Sequence, residues 1–161
     1  IQAIQNSANE RVAGIHSSLQ WKPTGHLRFI ANATKQWGTL NLGEGRKNTP
    51  RHLVPFFGSL STVYSTSRLQ ILSVLSYQGE ISHDQMAESE ISKTEIYALN
   101  ENGETYAPGW YSADLKMRYQ IIENGSIGLG VDNLTDQRYR PYSSGIAAAG
   151  RNFYVALSYS F

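Results

Sequence analysis

The stretch Arg151-Asn152-Phe153-Tyr154-Val155-Ala156-Leu157-Ser158-Tyr159-Ser160-Phe161 decides the fold of this chain. Side chains of a strand point alternately to opposite faces. Phe153, Val155, Leu157, Tyr159 and Phe161 therefore share one face. Asn152, Tyr154, Ala156, Ser158 and Ser160, mostly small or polar, share the other. An apolar outside, a polar inside and an aromatic last residue suit the closing strand of a transmembrane β-barrel. The last half-buried strand of a soluble sandwich shows the same alternation, so the rest of the chain must decide.

Working back from this stretch, the same period marks six further strands. Residues 127–132 alternate Ile127, Leu129 and Val131 with Gly128, Gly130 and Asp132. Residues 111–121 are the cleanest: Tyr111, Ala113, Leu115, Met117, Tyr119 and Ile121 against Ser112, Asp114, Lys116, Arg118 and Gln120. Leu69, Ile71, Leu75 and Tyr77 mark another, although Leu72 and Val74 leave its facing open. Leu60, Thr62 and Tyr64 fall in phase within residues 56–64. Residues 27–37 set Leu27, Phe29, Ala31, Ala33 and Trp37 against Arg28, Asn32, Thr34 and Gln36, with Lys35 and Ile30 each breaking their face. Residues 11–22 begin the series, with Ile15, Leu19 and Trp21 opposite His16, Ser18 and Gln20.

The connections alternate in length. Pro23-Thr24-Gly25-His26, Ser65-Thr66-Ser67 and Glu123-Asn124-Gly125 read as tight turns. Residues 38–55, 79–109 and 133–150 read as long loops, and 79–109 holds seven carboxylates (Glu80, Asp84, Glu88, Glu90, Glu95, Glu101, Glu104) against Lys93. A loop of that length is functional or disordered, so it is either a lid or a solvated segment. Short turns at one end and long loops at the other are the habit of transmembrane barrels, not of sandwiches. On the apolar face, Trp37, Tyr77, Tyr111 and Phe153 fall at the long-loop ends, and Trp21, Tyr64, Tyr119, Tyr159 and Phe161 at the short-turn ends. Two aromatic rows around an aliphatic band are what the two interfaces of a bilayer select.

Composition agrees. Only 17% of residues are charged and the net charge is +1, which offers nothing to nucleic acid. Zero cysteines remove disulfides and thiolate metal sites and fit a cell envelope. No segment approaches the ~18 apolar residues of a spanning helix. A mean hydropathy of −0.38 does not count against a barrel, because alternation halves its apolar content. The chain opens on Ile1 without Met or a signal peptide, which reads as a mature chain or a fragment.

The tail from Gly128 carries Asn133-Leu134-Thr135-Asp136-Gln137-Arg138-Tyr139 and then Gly150-Arg151-Asn152-Phe153, ending in Phe161. This resembles the carboxy-terminal signature of TonB-dependent outer-membrane receptors: an Asn-Leu-x-Asp-x-x-Tyr core, then a Gly-Arg-Asn-Phe step into a last strand ending in Phe. Pro50-Arg51-His52-Leu53-Val54-Pro55 resembles their Pro-Arg-x-x-Pro stretch with one extra residue, and Tyr106-Ala107-Pro108-Gly109-Trp110 is also typical. The resemblance covers essentially the whole chain. It implies residence in the bacterial outer membrane and active uptake of a ferric siderophore, haem, cobalamin or similar cargo, driven through TonB. Such receptors close about 22 strands around a plug, so seven strands imply the carboxy-terminal portion of the barrel over residues 1–161, without plug, TonB box or amino-terminal strands. Expected partners are membrane lipid, the remainder of barrel and plug, TonB through that plug, and the barrel-assembly machinery. Phe153, Val155, Leu157, Tyr159 and Phe161 resemble the signal which that machinery reads by strand addition.

No catalytic constellation, serine elbow or phosphate loop is visible, which argues against an enzyme and implies no cofactor. His16, His26, His52 and His83 lack metal-ligand spacing, and His83-Asp84 near Met86 reads as a solvated loop. Ligand contacts are expected from the long loops: Arg138, Tyr139, Arg140, Tyr142 and Arg151 combine positive charge with aromatic faces, suited to anionic iron chelates. Tyr139, Arg140 and Arg151 fall within the signature, so ordering of the last hairpin is the competing role. Two other readings stay open at this point: a small self-contained outer-membrane barrel, with residues 1–5 as the stump of an eighth strand, and a soluble β-sandwich binding module.

Overall fold

The computed structural model describes residues 9–43 and 45–161; the suggested eighth strand at 1–5 lies outside them. Ten strands follow in order: β1 (Asn9–Trp21), β2 (Leu27–Gly43), β3 (Arg46–Asn48), β4 (Phe56–Ser65), β5 (Leu69–Gln78), β6 (Ala98–Leu99), β7 (Thr105–Tyr106), β8 (Trp110–Ile122), β9 (Gly125–Asp132) and β10 (Asn152–Tyr159). A 3₁₀ turn (His83–Gln85) and a single helical turn, α1 (Glu88–Ile91), lie between β5 and β6. Seven strands form one antiparallel meander in the order β1-β2-β4-β5-β8-β9-β10, with β3 added beside β2. No second sheet packs on it among the described residues, which removes the sandwich reading: β6 and β7 form only a two-stranded ribbon.

Register converts the period-two pattern into rows across the sheet. Leu27, Tyr64, Ile71, Met117, Leu129 and Val155 are successive partners on one face. Leu19, Ala31, Leu60, Leu75 and Ala113 form a second apolar row. On the opposite face, Ser18, Asn32, Ser59, Ser76 and Ser112 form a polar row. The facing of β5 is thereby settled: Leu72 and Val74 pair with Val63, Lys116, Ser61 and Asp114 on the polar face. The apolar face is bare. Leu157 is 79% exposed, Leu19 69% and Trp21 60%. Full burial of such a side chain is worth roughly 1.5–3 kcal/mol, and a face this apolar is too large for water. Nothing among the described residues covers it.

Both aromatic rows stand on that face. Trp21 stacks on Phe29 at 5.5 Å, Tyr159 meets Phe161 edge-on at 5.1 Å, and Phe56 meets Tyr77 at 5.9 Å at the opposite end. β1 and β10 end the meander and do not pair with each other, so each offers one open edge among the described residues. Unsatisfied backbone groups cost several kcal/mol each in hydrocarbon.

The three tight turns lie at one end of the sheet and the three long connections at the other. The long connections differ from the expectation of structureless loops. β2 runs on to Gly43 and β3 returns beside it, while 79–109 folds into the 3₁₀ turn, α1, the β6–β7 ribbon and an Ile81–Ala107 bridge. The buried apolar core sits here, not under the sheet: Ile81, Met86, Ala107 and Tyr142, with Val54, Ile91 and Tyr97 against them.

Candidate functional site

A buried carboxylate ties the three long connections together. Glu90 in α1 is fully excluded from solvent. It accepts from Lys93 Nζ at 2.7 Å and from the Tyr97 hydroxyl at 2.7 Å, and it forms an ion pair with Arg51, whose Nε lies 2.7 Å away. The Tyr97 oxygen in turn accepts from the Ser143 amide at 3.2 Å, and Arg51 Nε also reaches Ser143 Oγ at 3.3 Å. Burial pushes the Glu90 carboxyl up, but hydrogen bonds from Lys93, Tyr97 and Ser143 and the Lys93 charge outweigh it and hold it at about 2. Burial and the bond to Glu90 raise the Tyr97 phenol above its ordinary range. Asn48 and Glu88 add a second tie, with the Glu88 amide donating to Asn48 Oδ1 at 3.0 Å.

The last connection is held to the sheet by its signature residues. Asn133 adopts φ 50° and is buried. Its Nδ2 donates to the carbonyls of Gln137 (3.0 Å) and Ala149 (2.9 Å), while its Oδ1 accepts from Thr135 Oγ1 (3.1 Å) and the Gln137 amide (3.2 Å). Asp136 Oδ1 accepts from the Arg151 amide at 2.9 Å. Arg151 Nε donates to the Leu134 carbonyl at 3.1 Å, so this arginine closes the hairpin into β10.

Between this connection and 79–109 lies a cleft of about 440 Å³, within the usual size of a small-molecule site. Arg138, Tyr139 and Arg140 line it, as does Gln137. Tyr139 stacks on Trp110, with ring centroids 4.0 Å apart and planes 22° from parallel. Trp110 opens β8 on the polar face opposite Gln78, so the cleft stands at the long-loop end of that face. Glu95, Ile96 and Tyr97 line it from the other connection. Gly109 is required beside Trp110: a Cβ there would meet the Glu80 amide at 2.9 Å and the Gln78 carbonyl at 3.1 Å.

The five ligand-contact candidates thus divide. Arg138, Tyr139 and Arg140 share the cleft. Tyr142 is buried in the loop core, where its hydroxyl accepts from the Ala87 amide at 2.9 Å. Arg151 stands apart on the closing hairpin. Sequence reading passed over Trp110, Tyr97, Glu95 and Glu90 as ligand or cap residues. An aromatic at the head of a polar strand face was the available signal for Trp110. Nothing in an acidic run marks Glu90 as the buried member. No group of His, Cys, Asp and Glu among the described residues could hold a metal; His83 Nδ1 lies 3.0 Å from the Thr105 carbonyl and Met86 is in the core.

No protein-family model matches the sequence, and no curated protein does. Solved structures do match. The chain is similar to the copper transporter OprC (TM-score 0.73, 16% identity), covering 94% of this chain and 23% of that one. It is similar to the siderophore receptor PiuA from Acinetobacter baumannii (0.65, 18%), covering 94% and 22%. It is also similar to the ferripyoverdine receptor of the outer membrane of Pseudomonas aeruginosa (0.66, 18%), covering 94% and 20%. The chain spans about a fifth to a quarter of the length of these structures. Its meander, its apolar outer face and these matches together give it the fold of a segment of a TonB-dependent outer-membrane receptor barrel.

Proposed function

We propose that this chain is the carboxy-terminal part of an outer-membrane receptor that takes up a scarce nutrient, with ferric siderophores, haem and cobalamin-like compounds as the cargo classes. The observation that carries the reading is a one-sheet meander with lipid-ready apolar and polar faces and two open edges, ending in the Asn133–Phe161 signature. The open edges pair with further strands of the same barrel, and the polar face lines its lumen. A plug in the rest of the receptor couples to TonB. Phe153, Val155, Leu157, Tyr159 and Phe161 serve both as the lipid face of β10 and as the strand that the assembly machinery recognises.

Within this reading, Arg138, Tyr139 and Arg140 contribute to a cargo-facing cleft, and Tyr142 and Arg151 hold the surrounding loops. A self-contained small barrel is disfavoured because β1 and β10 do not meet. The test is uptake in the native host with the gene intact or deleted, using radiolabelled ferric siderophores, haem and cobalamin. Loss of uptake of at least one cargo on deletion, and its collapse when the proton gradient is dissipated, is expected. Unchanged uptake of every cargo would overturn the proposal.

A further inference from the structure

The cleft lies between connections of opposite charge. Residues 79–109 carry seven carboxylates against Lys93, whereas 133–151 carry Arg138, Arg140 and Arg151 against Asp136. The first contributes Glu95 to the cleft lining and the second Arg138 and Arg140. None of these three side chains makes an ion pair or a side-chain hydrogen bond to a described residue, so the Glu95 carboxylate is more than 4 Å from either guanidinium. Charges of both signs are therefore held around one cavity without neutralising each other. The stacked Trp110 and Tyr139 rings give it a planar wall, and Ala107, Pro108 and Ala147 an apolar one.

A polyanion entering this cleft gains from Arg138 and Arg140 but meets Glu95. A ligand with an anionic end, a planar body and an ammonium or other donor end satisfies the whole lining. Resting on the uptake reading above, we propose that this cleft is a subsite selecting an amphoteric group with a planar ring, of the kind a short aromatic peptide with free termini presents, over a purely anionic one. It narrows the cargo to compounds carrying such a group, or to a peptide itself.

The test is calorimetric titration of the full-length receptor in detergent with glycyl-tyrosine, which carries both charges, and with N-acetylglycyl-tyrosine, which keeps only the anion. Each partly exposed charge contact is worth up to about fivefold in affinity, so glycyl-tyrosine binds tighter by up to that factor. Glu95→Gln abolishes the preference. Glu101→Gln, equally acidic but outside the cleft, retains it. Arg138→Gln with Arg140→Gln weakens both peptides. Equal or tighter binding of the acetylated peptide, binding of neither, or a preference that survives Glu95→Gln would overturn the proposal. Uptake that fails while the preference stands refutes transport alone, and transport without the preference refutes this subsite alone.

Discussion

Glu90→Gln is the sharpest perturbation of the loop cap. The carboxylate is fully buried, with hydrogen bonds from Lys93 and Tyr97 and an ion pair to Arg51, each at 2.7 Å. Its fall from the usual 4.5 to about 2 corresponds to on the order of 3 kcal/mol. Because the folded cap binds the proton more weakly than the opened loop, this stabilisation is complete above about pH 4.5 and is lost as pH falls toward 2. Glutamine keeps the shape but removes the charge. Breaking a buried pair can cost roughly 3–5 kcal/mol, but here Arg51 is 53% and Lys93 29% exposed, so both can rehydrate. A cost of about 2 kcal/mol follows, or roughly 30-fold in the local opening equilibrium.

Hydrogen exchange by mass spectrometry on the full-length receptor reads this directly. Peptides covering 79–97 and 133–147 should exchange about 30-fold faster in the variant, while 110–122 in β8 is unchanged. Wild type should approach the variant's protection between pH 4.5 and 2.5, after correction for intrinsic rates, and the variant should show no such pH dependence. Undiminished protection in the variant, or loss spread equally over β8, would refute the keystone role of Glu90.

Two further outcomes follow from the sheet and its closing hairpin. Leu157→Arg puts a cation on the exposed apolar face at a cost of about 2–4 kcal/mol near mid-membrane; it should sharply reduce heat-modifiable folded receptor on gels, whereas Ser158→Arg on the polar face should not. Asn133→Ala deletes four side-chain hydrogen bonds from a buried turn held at positive φ. It should destabilise the 133–151 connection by about 2–3 kcal/mol, seen as new protease cleavage there with the sheet intact.

The long strands were legible because period two survives without knowledge of neighbours: β8 and β10 could be read residue by residue. Where both faces carry aliphatics, as around Leu72 and Val74 in β5, only pairing with Lys116 and Asp114 fixes the facing. The Asn133–Asp136 turn was legible as a motif, and its bonds explain why those residue types recur in it. The cap was not legible. Glu90 looks like its six acidic neighbours until Arg51, some forty residues earlier, is brought beside it. Trp110 and Tyr139 likewise meet only because β8 and β9 place their loops together. Tyr142 and Arg140 look alike in sequence as ligand contacts, yet one is in the core and the other lines the cleft.

These 161 residues contain no cysteine, so a single label placed in them reports membrane topology once any cysteine elsewhere in the receptor is replaced by serine. Ile146, 79% exposed in the last long connection, and Gly25, where a side chain meets nothing within 4 Å in the first tight turn, mark the two ends of the sheet. Intact cells carrying the full-length receptor with Ile146→Cys or Gly25→Cys, treated with a membrane-impermeant maleimide, measure which end faces outward. Labelling of Ile146→Cys from outside, and of Gly25→Cys only after the outer membrane is permeabilised, is the predicted result. Equal labelling of both in intact cells, or labelling of Gly25→Cys alone, would contradict a barrel segment with its long loops at the cell surface.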